Sequence, residues 1–222
     1  MKLHGLLRKF AWLLARLLFG LQIVHAEVIP KEGPVMLVSN HLSILDPIVI
    51  GIACPRPVSF IARSELFRMP ILSWLLPKLQ AIPVDRGQSD MGAIKAAIRV
   101  LRAGGVFGVF PEGTRSRDGL LKEFRSGAAA IALRTGATVV PVGLVGTHRA
   151  WPVGRGPQPG QKIQVVFGNP IVIEPARIDV QALQELTERL RREVARLLPP
   201  EYVDDKSLLL EQSEQRVEES SR

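Results

Sequence analysis

Two short stretches of the chain carry side chains whose types and spacing suit chemistry. In Asn40-His41-Leu42-Ser43-Ile44-Leu45-Asp46-Pro47 a histidine follows an apolar run, and an aspartate comes five positions later. A histidine at a strand end lies on the rim of a sheet, where α/β proteins place their sites. A carboxylate near its ring could hold one imidazole tautomer and stabilise the imidazolium, as a general base requires. The spacing alone also fits a plainer arrangement, in which His41 closes a strand and Asp46 caps the next helix. The second stretch, Val106-Phe107-Gly108-Val109-Phe110-Pro111-Glu112-Gly113-Thr114-Arg115-Ser116-Arg117, runs an apolar strand into a turn of small and polar residues. Gly113 lets a ligand approach the backbone closely. Thr114 and Ser116 offer hydroxyls, and Arg115 and Arg117 offer planar forks suited to phosphate. Glu112 cannot bind phosphate itself; it could orient an arginine or accept from a hydroxyl. A turn with solvated arginines accounts for Arg117 and Asp118-Gly119.

Ala81-Ile82-Pro83-Val84-Asp85-Arg86 places another arginine at a strand end. Val139-Val140-Pro141-Val142 is an apolar strand whose proline implies an edge or irregular position. An acyl chain or a pantetheine arm could lie along such a surface, although ordinary core describes both segments when each is read alone.

Alternating strands and helices must position these residues. Strands are predicted at Val35–Ser39, Val58–Ala62, Ala81–Val84, Val106–Phe110, Thr138–Val145 and Lys162–Phe167. Helices are predicted at Leu42–Ala53, with Ser43 as a cap, and at Pro70–Leu79, Asp90–Arg102, Ser126–Arg134 and Ile178–Leu198. The Gly- and Pro-rich segment Trp151–Gly160 reads as a loop. The pattern predicts one α/β domain over residues 30–200, with a largely parallel mixed sheet flanked by helices. It is preceded by an amphipathic segment, 1–29, and followed by an acidic, flexible tail, 201–222.

Composition narrows the function. With 46% hydrophobic and 23% charged residues, the 222-residue chain is an ordinary globular one. Cys54 is the only cysteine, so there is no internal disulfide and no thiolate zinc site. The four histidines show no metal-ligand spacing, so neither a metal nor another cofactor is expected. The net charge is +8, but residues 201–222 carry seven acids and three bases, leaving +12 on the remainder. A basic body calls for an anionic partner. With one tyrosine and no basic–aromatic alternation, nucleic acid is not that partner.

The first 26 residues contain no acid and four bases, Lys2, Arg8, Lys9 and Arg16. On a helix Lys2, Lys9 and Arg16 share one face, and Leu3, Leu6, Leu7, Phe10, Leu14, Leu17 and Leu21 fill an adjacent broad one. That is the pattern of a helix lying in a membrane interface. A helix packed on the domain's own core, a cleaved signal and a membrane span compete with it, although Arg16 interrupts the apolar run that the last two need.

Taken in order, these segments resemble the glycerolipid acyltransferases, the family containing the 1-acylglycerol-3-phosphate acyltransferases. His41 and Asp46 match that family's His-x4-Asp motif. Ile82-Pro83-Val84-Asp85-Arg86 looks like its second motif, and Phe110-Pro111-Glu112-Gly113-Thr114-Arg115-Ser116 is similar to its third. Phe124-Arg125-Ser126-Gly127 resembles the basic-Gly element that follows, and Val140-Pro141-Val142 the fourth motif. The resemblance runs from about Val35 to Thr147. It implies transfer of a fatty acyl group from acyl-CoA or acyl carrier protein to the free hydroxyl of 1-acylglycerol 3-phosphate (lysophosphatidic acid). His41 would be the base and Asp46 its orienting group. Arg86, Glu112, Gly113, Thr114, Arg115 and Arg125 would form the acceptor's phosphate region, and Pro141 and Val142 the acyl-donor side. It also implies a monotopic or peripheral protein at the cytoplasmic face of an anionic lipid bilayer, held by the N-terminal segment. At Arg125 and Ser126, family members often have two lysines, so the charge at the second position is missing. Other lyso-lipids or glycerol 3-phosphate as acceptor, hydrolysis of the acyl thioester, and a non-catalytic membrane-binding role remain as alternatives.

Overall fold

The computed structural model describes residues 2–68, 73, 76–77, 80–84, 90–174 and 178–205. Arg86, most of the helix expected over 70–79 and the acidic segment after Asp205 lie outside these residues. The apolar runs become strands β1 (Gln22–Val24), β2 (Val35–Ser39), β3 (Val58–Arg63), β4 (Ile82–Val84), β5 (Val106–Val109), β6 (Thr138–Val145) and β7 (Gln164–Phe167). Helices α1 (Lys2–Phe19), α2 (Asp46–Ala53), α3 (Asp90–Arg102), α4 (Gly127–Thr135), α5 (Thr147–Ala150) and α6 (Val180–Ala195) alternate with them. The strands form one sheet in the order β1-β7-β6-β2-β5-β3-β4. Every neighbouring pair is parallel except β6 and β7.

β2 lies inside the sheet, between β5 and β6, and all five of its residues are buried. A strand covered on both faces needs such an unbroken apolar run. Val35 and Leu37 pack with Ala15 and Phe19 of α1 and with Val49 and Ile50 of α2. Met36 and Val38 point the other way, toward Leu101 of α3, Ala129 and Ala132 of α4, and Leu190 and Val194 of α6. The chain therefore leaves β2 toward one face of the sheet and leaves β5, through α4, toward the other. The gap beyond the carboxyl ends of β2 and β5 is a topological switch point, where open α/β sheets form their ligand crevices.

Several expectations change. α2 begins at Asp46, not Leu42, because the backbone N–H groups of Leu42 and Ser43 turn back to the Asp46 carboxylate. The Ser43 hydroxyl therefore does not cap that helix. Of the edge or irregular positions that its proline implies, Pro141 takes the irregular one, inside the sheet. The β6–β7 ladder stops at Val142↔Phe167, and pairing resumes only at Val139↔Ile171. The missing N–H of Pro141 faces that interruption, across which its carbonyl accepts from Gly168 N at 2.9 Å. The segment 1–29 is not separate from the sheet, since β1 pairs with β7. Tyr202 and Val203 are buried, so the packed chain continues past residue 200.

Candidate active site

β2 ends in a side-chain lock. The Asn40 amide donates to Leu144 O at 3.0 Å and accepts from Leu144 N at 2.8 Å, extending the attachment to β6 beyond the backbone ladder. The next residue, His41, therefore emerges at a defined point over the switch crevice. Its Nδ1 lies 2.7 Å from Asp46 Oδ2. That same oxygen accepts from Leu42 N at 2.6 Å and Ser43 N at 2.7 Å. Asp46 is fully buried, and three donors converge on one of its oxygens. A carboxylate can only accept, so the imidazole donates through Nδ1–H and keeps Nε2 as the free basic nitrogen. The ring stacks on Phe110, with centroids 4.1 Å apart and planes 16° apart, and Phe110 stacks in turn on Phe60. Gly108 makes this column possible: a Cβ there would lie 2.1 Å from Phe60 Cε1.

The Pro111–Arg117 turn grips the same histidine from the other side. Glu112 Oε1 accepts from His41 N at 2.9 Å, and Ser116 N donates to His41 O at 2.7 Å. Glu112 thus braces the backbone of His41 and does not orient an arginine, one of the two roles its sequence setting suggests. It is buried, and its Oε2 has no hydrogen-bond partner. Burial, reinforced by the nearby Asp46 charge, pushes its carboxyl up to about 7. Gly113 has φ +72°, and the guanidinium of Arg125 lies over its Cα, where a Cβ would be 2.9 Å from Arg125 Cζ. Thr114, Arg115, Arg117 and Arg125 are exposed around this turn. Asp118, held by Lys122 and the Ser116 hydroxyl, stays well below the ordinary carboxylate range. These residues give a buried anion behind His41 and a cationic rim in front of it. Such a site can remove a proton from a hydroxyl whose molecule also carries phosphate.

A cleft of about 380 Å³ opens beside the dyad, lined by Leu42, Ser116, Arg117, His148, Pro152 and Val153. Burial and the adjacent Arg149 lower the pKa of His148, which favours its neutral form. Its ring meets Tyr202 edge-on, and the Tyr202 hydroxyl accepts from Gly146 N at 2.9 Å. Among the described residues, no group of three or more His, Cys, Asp and Glu side chains could hold a metal ion.

A profile of the acyltransferase family matches residues 21–145, more than half of the chain. The chain belongs to the acyltransferase family. A chloroplastic 1-acyl-sn-glycerol-3-phosphate acyltransferase of Arabidopsis thaliana is 34% identical over 158 residues, 66% of this chain and 44% of that protein. A Borreliella burgdorferi protein of the same designation is 35% identical over 135 residues, 59% of this chain and 54% of its own length. The chain thus spans about half the length of these curated relatives. The crystal structure of the 1-acyl-sn-glycerophosphate acyltransferase PlsC from Thermotoga maritima superposes with a TM-score of 0.71 at 30% identity. The match covers 87% of this chain and 79% of that one.

Of the residues that the acyltransferase resemblance singles out, His41, Asp46, Glu112, Gly113 and Arg125 form one connected cluster, with Thr114 and Arg115 on its rim. Pro141 and Val142 are buried in β6, in register with Val38 and Ser39. They support the strand end beneath the site and do not line the cleft. The N–H groups of Leu42 and Ser43 are committed to Asp46, so they are not the donors for an oxyanion. Sequence reasoning gave no individual role to Asn40, Phe110 or His148, which the structure places around the site. The first two adjoin or belong to the motifs, but their partners lie far along the chain; His148 carried no signal beyond its identity.

Proposed function

We propose that the chain transfers a fatty acyl group from acyl-CoA or acyl carrier protein to the free hydroxyl of 1-acylglycerol 3-phosphate, giving phosphatidic acid. The observation that carries this reading is the convergence of three donors on Asp46 Oδ2, which leaves His41 Nε2 basic and directed away from its carboxylate, beside an arginine-rich turn. His41 Nε2 takes the proton of the acceptor hydroxyl as that oxygen attacks the thioester carbonyl. Asp46 stabilises the imidazolium that results. The tetrahedral centre collapses, the C–S bond breaks, and the leaving sulfur takes the proton back from His41. No acyl-enzyme forms, which agrees with the burial of Cys54, away from the dyad.

Arg115 and Arg125, with Arg86 from outside the described residues, hold the acceptor's phosphate and so aim its hydroxyl. Placement of this kind is worth roughly 7–11 kcal/mol of barrier, more than a base alone supplies. α1 docks the enzyme on the membrane, at its cytoplasmic face. No helix among the described residues is long and apolar enough to cross a membrane. α1 packs on the body through Ala15 and Phe19 but leaves Phe10, Leu13, Leu14, Leu17 and Leu18 exposed. That is the disposition of a helix lying in the interface, with Lys9 and Arg16 available to anionic head groups. The deciding assay follows a radiolabelled acyl donor with and without lysophosphatidate. Label appearing in phosphatidate supports the reading, whereas release of free fatty acid irrespective of acceptor, or no turnover, ends it.

A further inference from the structure

The loop Trp151–Gly160 joins the catalytic segment to α1. At one end, the Ser43 hydroxyl donates to Trp151 O at 2.8 Å. At the other, Gly160 N donates to Leu18 O at 2.7 Å, and Ile163 N to Phe19 O at 3.0 Å. Between these ends the loop has a fixed shape. Trp151 Nε1 donates to Arg155 O at 2.8 Å, and Gln158 N donates to Ala150 O at 2.7 Å. Residues 147–163 contain no acid, while Arg149, Arg155 and Lys162 are exposed. Val153 is also exposed, at 37%, and with Pro152 it forms one wall of the cleft. The acid-free, basic and partly apolar character of α1 thus continues, through a direct hydrogen-bonded junction, to the mouth of the site.

We propose that the Trp151–Gly160 loop is a second membrane contact, which sets the mouth of the cleft against an anionic lipid bilayer. The inference rests on reading α1 as an interfacial helix and extends it. Charge complementarity and continuity with the exposed face of α1 identify the occupant: a valine flanked by basic side chains suits the boundary of head groups and acyl chains. An acceptor held in that bilayer then reaches the Leu42–Val153 cleft by sliding along the loop, without first dissolving in water.

The test uses the full chain in a Cys54→Ala background, with single cysteines placed by Leu17→Cys, Arg155→Cys and Arg134→Cys. Each carries an environment-sensitive fluorophore and is mixed with phosphatidylglycerol–phosphatidylcholine vesicles containing brominated acyl chains. Labels at 17 and 155 should be quenched, and the label at 134, on α4 across the sheet, should not. Quenching at 17 without quenching at 155 overturns the loop contact and leaves the α1 reading standing. Quenching at neither position removes both, and equal quenching at all three marks nonspecific adsorption and overturns the proposal. In the unlabelled enzyme, Arg155→Glu should raise KM for a vesicle-embedded acceptor about tenfold, as charge reversal at an anionic surface requires, and leave KM for a short-chain, water-soluble acceptor unchanged. Equal effects on both acceptors, or none on the embedded one, refute it; so does loss of activity confined to an acidic protein donor, which would make the loop a donor contact.

Discussion

Glu112→Gln isolates the cost of the second buried carboxyl in the site. The side chain is 4% exposed, and its carboxyl is raised from 4.5 to about 7. At about 1.4 kcal/mol per unit, that gap makes the ionised form roughly 3 kcal/mol less favourable in the folded protein than in the unfolded chain. The folded state holds this proton more tightly, so its contribution to stability is full below pH 4.5. The contribution is lost as pH rises to about 7 and is constant above that. Glutamine keeps an oxygen to accept from His41 N and cannot ionise. Urea denaturation of both proteins from pH 4.5 to 8 should therefore show wild type losing about 3 kcal/mol relative to the variant across that range. Subtracting one curve from the other cancels the titrating groups that do not interact with Glu112. A difference that stays flat with pH, or in which wild type gains stability toward pH 8, would refute the assignment of Glu112 as a carboxyl that burial keeps protonated.

Four further substitutions probe the base and the turn. His41→Ala should lower kcat by about a thousandfold or more while acceptor still binds, measured by radiolabelled acyl transfer alongside equilibrium binding. Asp46→Asn should lower kcat by about 10³–10⁴-fold through loss of the imidazole tautomer, and should also depress Tm, because three hydrogen bonds meet at Oδ2. Arg115→Ala should raise KM for the phosphate-bearing acceptor about tenfold or more with a smaller change in kcat, seen in a titration of acceptor at saturating donor. Gly113→Ala should cost about 1 kcal/mol of stability from the left-handed backbone alone. By displacing Arg125 it should also weaken acceptor use, read from KM and from chemical denaturation.

The dyad was legible because its two members lie within one short loop, where spacing alone limits their separation. The arginine turn was legible as a cluster of chemistry for the same reason. Glu112 shows where this reasoning stops: its partner, the backbone of His41, is 71 positions away, and nothing local distinguishes it from an arginine as partner. Phe110 likewise reads as core from its apolar surroundings, and its stacking under the imidazole depends on β2 and β5 being neighbours. The alternation of strands and helices made the α/β class readable, but not the strand order that creates the switch crevice. The start of α2 was misread because the apolar pattern from Leu42 onward is compatible with helix, while the Asp46 carboxylate draws Leu42 and Ser43 out of it. Which of an edge or an irregular position Pro141 takes was not legible, because the break in pairing that accommodates it belongs to Gly168–Pro170, a segment distant in sequence.

The peptide of His41 is held on both flanks by a single turn, with Glu112 gripping its nitrogen and Ser116 its carbonyl oxygen. On the proposed function, the turn that would select the headgroup and the imidazole that would take the proton are therefore tied together at two points. Grafting a foreign headgroup-binding turn into this scaffold would disturb the aim of the imidazole unless positions 112 and 116 were carried over unchanged. Selectivity and turnover would then drift together in any directed-evolution campaign that left those two contacts free to vary.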